Sequence, residues 1–336
     1  MPDCEYPPPV TAGDTVAVVA PSHAPPDGFE QGLRRLRSFG VRPKVFETAT
    51  RSTDWLRDNP AARAADVMDA FRDEEVDAIV AAMGGNRELQ ILDQLDEAVV
   101  RRNPKRFFGS SDNTHLHLFL NRAGLVSFYG GQLFPDLTAD PAIHPYTRAN
   151  VSRALSATPF GAARPASHWT DEYYDFDEPT MRTWFPADDW HWHGADERVV
   201  APVAGGCLSM LRTQLLAGPS RFGVDALSDS VLAVETSGET PGASEVERFF
   251  MALGERGVLA DLEGVLVGKP ETPGGTRTDR EQYRREQRDA IVGTVDEYAD
   301  VPCVFDLDFG HPAPVLPLPI GAEVEIDGSN RTIRFR

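Results

Sequence analysis

The stretch Gly109-Ser110-Ser111-Asp112-Asn113-Thr114 places a serine on a tight turn between an apolar strand and an amphipathic helix. Residues 105–108 are short and aromatic, while Leu116, Phe119, Leu120 and Ala123 recur afterwards at helical spacing. Such a junction lifts the hydroxyl above the sheet edge. It also leaves the first amides of the helix as ready donors for an oxyanion formed beside Ser111. Acyl transfer is the chemistry this arrangement suits. A plain helix cap at Ser110, Ser111 or Asp112 is the competing reading.

A serine hydroxyl is a poor nucleophile at neutral pH, so it needs a histidine to take its proton and a carboxylate to orient that histidine. Among the eight histidines, His311 sits in Asp308-Phe309-Gly310-His311-Pro312, just past a strand end, with Gly and Pro fixing an exposed turn. His115 and His117 follow Ser111 on its helix, but a spacing of two sends them to different faces. His191 and His193 could share one strand face and bind a metal; no third ligand is evident nearby, and no metal is expected. For the carboxylate, Glu235 closes the apolar strand Val231-Leu232-Ala233-Val234. Glu239, Asp306 and Asp308 remain competitors.

Alternating strands and helices must position these groups. In the first half, residues 15–20, 44–46, 76–82, 105–108 and 125–128 read as strands, and 29–39 and 62–71 as helices. Further helical spacing follows Met83-Gly84-Gly85-Asn86 and the serine turn. The segment 76–82 is nearly all apolar, as a strand covered on both faces should be. Repeated βα units predict a parallel sheet with right-handed crossovers, whose sites lie at the strand C-terminal ends. Both the Gly84-Gly85 loop and the Ser111 turn fall on that edge. From 140 to 196 the period breaks down among prolines, charges and Trp169, Tyr173, Tyr174, Trp184, Trp190 and Trp192, which predicts a linker and a long recognition loop. The second half reads as shorter strands at 199–203, 230–235, 264–267, 303–307 and 323–326, with helices near 208–216 and 243–256. The fold class is therefore α/β: an N-terminal parallel-sheet domain over 1–150, a linker and aromatic loop over 151–195, and a β-rich domain over 196–336.

Composition narrows the partners. With 336 residues, 41% of them hydrophobic, the chain can bury a large core spread over about two domains. No apolar run approaches bilayer length, and the N-terminus is acidic and proline-rich where a signal would be basic and then apolar. A soluble cytoplasmic protein with no membrane partner is expected. Cys4, Cys207 and Cys303 are scattered and odd in number, so they predict neither a disulfide framework nor a zinc cluster. A net charge of −19 argues against a nucleic-acid partner, which needs a basic stripe. Lys44, Lys105 and Lys269 stand against 52 acidic residues, a balance like that of salt-adapted organisms; a high-GC genome would explain the arginine preference equally well.

Taken together, these residues resemble the LD-carboxypeptidases and the related microcin C self-immunity peptidases over nearly the whole chain. The family's strand, Gly-x-Ser-Asp-x-Thr and helix match Gly109 to Thr114. Its Gly-Gly loop matches Gly84-Gly85, its Gly-Gly-x-Leu matches Gly205-Gly206-Cys207-Leu208, and its strand ending in Glu matches Glu235. Its Gly-His and Leu-Pro-Ile-Gly match Gly310-His311 and Leu318-Pro319-Ile320-Gly321, with Gly264-Val265-Leu266-Val267-Gly268-Lys269 also in place. The resemblance implies a Ser111-Glu235-His311 triad, an oxyanion hole from the amides of Gly85 and Asp112, no cofactor, and a homodimer. It implies substrate contacts at Gly84, Asn86, Gly206, Cys207 and Lys269. It further implies either release of a D-amino acid from murein peptides or cleavage of aminoacyl or peptidyl nucleotides. The Trp-rich loop resembles the second branch, with Trp184 and Trp190 as candidates to stack on a nucleobase. Cys207 stands where that branch has asparagine, and Ser237 to Glu239 lacks its lysine. A catalytically inactive binding protein of the same fold is the reading from a different class. An α/β-hydrolase esterase fits less well, because Asn113 occupies the position where the elbow of those enzymes has glycine.

Overall fold

The structure, a computed structural model, describes residues 3–139, 141–176, 180–194, 196, 198–218, 224–272 and 274–336. Five short strands come first: β1 (Thr15–Val19), β2 (Arg42–Val45), β3 (Ala78–Ala81), β4 (Arg106–Gly109) and β5 (Ser127–Tyr129). Between them run α1 (Phe29–Arg37), α2 (Thr53–Asp58), α3 (Pro60–Arg72), α4 (Glu97–Arg102) and α5 (Thr114–Arg122). The five strands pair in parallel in the order β5-β4-β3-β1-β2, as the repeated βα pattern predicts.

After α6 (Pro145–Ser156) come four short strands: β6 (Gly161–Ala163), β7 (His168–Trp169), β8 (Phe185–Pro186) and β9 (His191–His193). Then follow β10 (Arg198–Cys207), α7 (Leu208–Leu216), β11 (Val231–Glu235), α8 (Ala243–Glu255), β12 (Gly264–Gly268), α9 (Arg277–Tyr298) and β13 (Cys303–Leu307). The chain closes with β14 (Leu318–Ile320), β15 (Glu323–Asp327) and β16 (Thr332–Phe335). The second sheet has the order β6-β16-β15-β10-β11-β12-β13-β9. Its centre, β10 to β13, is parallel, and antiparallel strands flank it on both sides. β14 crosses back to the first sheet and sets Leu318 opposite Tyr129 on β5, which stitches the two sheets together.

Alternation along the strands builds the layers. Val16 and Val18 of β1 join Val231 and Ala233 of β11 in one buried cluster spanning both sheets. Ala17 and Val19 turn the other way, onto α3 and α5, while Leu232 and Val234 turn onto α7, α8 and α9. β3 is therefore apolar at every position, and β11 is apolar up to Glu235 at its C-terminal end.

Two expectations change. The stretch 140–196 is not only loop: α6 occupies Pro145–Ser156, crosses the expected boundary at residue 150, and buries Thr147, Asn150, Val151, Ala154 and Leu155. Short β-pairs hold the rest of that stretch that the structure describes; 140, 177–179 and 195 lie outside the described residues. The second half, built on an eight-stranded sheet, also carries a helix not among those expected, α9, which runs for 22 residues. Its inward face is Arg280, Gln287, Ile291, Thr294 and Val295, too polar to register as an apolar stripe.

Candidate active site

β4 delivers the chain to the site at Gly109. Ser111 then opens a single 3₁₀ turn, Ser111–Asn113, before α5 begins. Ser111 sits at φ 61°, a left-handed conformation that costs a non-glycine residue roughly 1–2 kcal/mol. Neighbouring groups hold it there. The Ser111 N–H donates to the Tyr129 hydroxyl at 2.8 Å, and the Thr114 hydroxyl donates to the Ser111 carbonyl at 2.7 Å. Neither Ser110 at the start of the turn nor Asn113 at the start of α5 makes a side-chain cap. Asp112 instead sends its carboxylate sideways, where it accepts from the N–H groups of Arg87 at 2.7 Å and Glu88 at 2.8 Å and from the Ser22 hydroxyl. The capping alternative thus finds no hydrogen bond to support it.

That carboxylate clamps the Gly84-Gly85 loop against the serine turn. The approach is close enough to require glycine: a Cβ on Gly84 would lie 2.8 Å from the Ser111 Cβ and 3.2 Å from its Oγ. Asn86 is exposed at the loop tip. Gly206 and Cys207 end β10 beside α5, where the Cys207 N–H donates to the Thr114 hydroxyl at 2.9 Å.

Glu235 ends β11 with none of its side chain exposed, and one donor meets each oxygen. Tyr129 O–H donates to Oε1 at 2.5 Å, and His311 Nδ1 stands 2.8 Å from Oε2. A carboxylate can only accept, so Nδ1 carries a proton, and in the neutral imidazole Nε2 is left with its lone pair. Gly310 makes this approach possible: it lies at φ 108°, and a Cβ there would come within 2.9 Å of Oε2. Burial pulls the His311 pKa down, but the charge and hydrogen bond of Glu235, with the charges of Glu271 and Asp136, push it up to about 9. Burial likewise raises the carboxyls of Asp136 and Glu271, each to about 7. Asp136 also accepts the Gly131 N–H at 2.7 Å.

The other candidates go elsewhere. Asp308 is buried and accepts from Lys269 at 3.2 Å, the Trp190 indole at 3.1 Å and the Ala166 N–H at 2.9 Å, so Lys269 and Trp190 bind each other's partner within the protein. Glu239 is exposed, and Asp306 borders a different pocket with His191, Arg284 and Arg288. His115 pairs with Gln214, His117 with Ser127 and the Gly109 carbonyl, and His193 on β9 with Asp296. No group of three or more metal-ligating side chains occurs among the described residues, and none of their helices is long and apolar enough to cross a membrane. Trp184 stacks on His144 at 4.5 Å and, with Asp136, Thr147 and Arg182, lines a pocket that His311 also borders.

Sequence reasoning missed Tyr129, Asp136 and Glu271. Tyr129 had a readable signal: it closes a strand next to the serine strand, at the edge where parallel sheets place their sites.

A serine on a strained strand-to-helix turn, tied through a tyrosine to a buried glutamate on a second sheet and the partly exposed histidine that it holds, is a two-sheet α/β arrangement of the serine-hydrolase kind. The LD-carboxypeptidase N-terminal domain matches residues 16–130 and the LD-carboxypeptidase C-terminal domain residues 200–326; the chain belongs to this family and is a serine peptidase. It is 28% identical over 325 residues to a probable murein peptide carboxypeptidase of Bacillus subtilis, covering 95% of this chain and 91% of that one. It is 25% identical over 336 residues to the microcin C7 self-immunity protein MccF of Escherichia coli, covering 97% and 94%. Among solved structures, an MccF-like protein of Streptococcus pneumoniae in complex with AMP superimposes with a TM-score of 0.85 at 25% identity, covering 96% of this chain and 98% of that one. MccF bound to aspartyl sulfamoyl adenosine shares the fold at a TM-score of 0.82 and 22% identity, over 98% of this chain and 97% of that one.

Proposed function

We propose that Ser111, Glu235 and His311 form the catalytic triad of an amide hydrolase that works through an acyl-enzyme on a small aminoacyl- or peptidyl-nucleotide conjugate. The contact of His311 with Glu235, linked through Tyr129 to the Ser111 turn, is the observation that carries this reading. His311 Nε2 takes the Ser111 proton as Oγ attacks the carbonyl. The Gly85 and Asp112 amides receive the developing oxyanion, and His311 protonates the leaving amine before activating water for deacylation.

The AMP and sulfamoyl-adenosine complexes of the structural relatives support a nucleobase-bearing substrate; Trp184, stacked on His144 with Arg182 over its ring, would have to release one of them to stack on a base. Similarity to the Bacillus subtilis carboxypeptidase supports the second reading, release of a C-terminal D-amino acid from a murein peptide. A direct comparison separates them: kcat/KM on an aspartyl-sulfamoyl adenosine is expected to exceed that on an L,D-linked tetrapeptide at least tenfold. The reverse ratio moves the chain to the murein reading. A cytoplasmic homodimer completes the proposal, and the exposed Leu216 and Met251 on α7 and α8 are apolar groups a second copy would cover.

The pH profile tests the base. His311 must be unprotonated to act, and its pKa is raised to about 9, so the free enzyme holds the wrong form at neutral pH. kcat/KM is expected to climb nearly tenfold per pH unit from pH 6, with its limb well above the ordinary histidine value of about 6.5. Glu271→Gln removes one of the charges that hold the proton and should move that limb down. A wild-type profile already flat at pH 7 would count against the assignment.

A further inference from the structure

Tyr129 belongs to neither sheet's charged set, yet its hydroxyl joins the Ser111 turn directly to Glu235. Its oxygen accepts the Ser111 N–H at 2.8 Å, and its proton goes to Glu235 Oε1 at 2.5 Å, so donor and acceptor capacity are both committed. The ring is fully buried and fixed from two directions. His117 of α5 lies 5.4 Å from it, and Phe309, two residues before His311, meets it edge-on at 6.2 Å. Its strand is held by Gly109 of β4 on one side and Leu318 of β14 on the other. A tyrosine needed only for packing would have its hydroxyl satisfied by any nearby carbonyl. Here both partners are groups the chemistry depends on, and each comes from a different sheet.

We propose that Tyr129 is a positioning residue of the peptidase reaction: it pins the strained serine turn by its backbone amide and holds the Glu235 carboxylate so that its second oxygen faces His311. This rests on the triad assignment above. The hydroxyl does two things at once. It fixes the distance between the nucleophile's turn and the carboxylate, and it draws off part of the carboxylate's charge, which lowers the hold of the Glu235–His311 pair on its proton. The charged and titratable groups facing this unit are Cys207 and His117 beside Tyr129, the latter held neutral by burial, which lowers its pKa to about 4, and Glu271 and Asp136 beside His311.

Tyr129→Phe removes the hydroxyl and keeps the ring. Expected are a 10- to 100-fold fall in kcat with little change in KM, slower labelling of Ser111 by a fluorophosphonate, and an upward shift of the acid limb of kcat/KM by half a pH unit or more. The shift separates positioning from bulk structure, since a merely loosened core lowers activity without moving the limb. Incorporating 3-fluorotyrosine at position 129 keeps the shape and strengthens the donor, and should move the limb down; this second arm stands even where Tyr129→Phe folds poorly. Limbs unmoved in both variants, or wild-type kcat in Tyr129→Phe, overturn the role of Tyr129 alone. Ordinary turnover in Ser111→Ala would overturn the triad reading beneath it, so the two failures are distinguishable.

Discussion

Ser111→Ala is expected to lower kcat on the order of a million-fold while the protein melts at nearly the wild-type temperature. The size follows from how the proposed triad works: base and carboxylate have nothing to act on once Oγ is gone, so removing the serine costs about as much as removing the whole unit. What survives is the contribution of binding and of the backbone donors, which the variant keeps. Stability should change little because Ser111 is held by backbone groups, its N–H on Tyr129 and its carbonyl on Thr114, and alanine retains both. Single-turnover kinetics on the better of the two substrates, beside a thermal melt, measure the two halves of this expectation. Turnover within a hundredfold of wild type would remove Ser111 as the nucleophile, and fluorophosphonate labelling of that variant at another residue would show where the true one lies.

Much of this was legible in the chain because the first half obeys local rules. Strands covered on both faces are continuous apolar runs, and β3 and β11 read that way. The serine turn is framed by a short aromatic strand before it and a helical period after it. Local rules failed where burial is polar. α9 buries Arg280 and Gln287, with Arg280 paired to Asp171 at 2.7 Å, so its inward face shows no apolar stripe. A signal was present at its start all the same: Thr276 and Asp279 form a capping box, which the spacing Thr-Arg-Thr-Asp announces. α6 was hidden by a similar dilution, with threonine and asparagine on its buried side.

The site divides along the same line. Ser111 and His311 stand on turns whose own residues mark them, and both were readable. Glu235 could only be ranked beside Glu239, Asp306 and Asp308, because what distinguishes it is a histidine 76 residues away in sequence. Asp308, equally well placed at a strand end, is consumed by Lys269 and Trp190, a fact of long-range packing that no local pattern carries. Tyr129, Asp136 and Glu271 were missed for that reason. An aromatic at a strand end ordinarily means core, and its hydroxyl acquires a role only when β5 is set beside β4 and opposite β11.

Glu235→Gln should be milder than loss of the serine, on the order of ten-thousandfold in kcat, and its pH profile should move in a telling direction. The wild-type carboxylate accepts on both oxygens, from Tyr129 and from His311, whereas an amide offers one acceptor and one donor. With its oxygen toward His311 the amide preserves the proton on Nδ1, but its NH₂ then faces a tyrosine oxygen that already accepts from Ser111, and the tyrosine proton must turn away. With the amide reversed, Tyr129 is satisfied and Nδ1 is met by a donor, which drives the proton to Nε2 and disables the base. Both arrangements lose the negative charge that raises the His311 pKa, so burial dominates and the pKa falls. The acid limb of kcat/KM is therefore expected to shift down while the plateau drops, the opposite of the Tyr129→Phe shift. A plateau at the wild-type level, or a limb displaced upward, would take Glu235 out of the pair and return the choice to the remaining carboxylates near His311, Glu271 and Asp136.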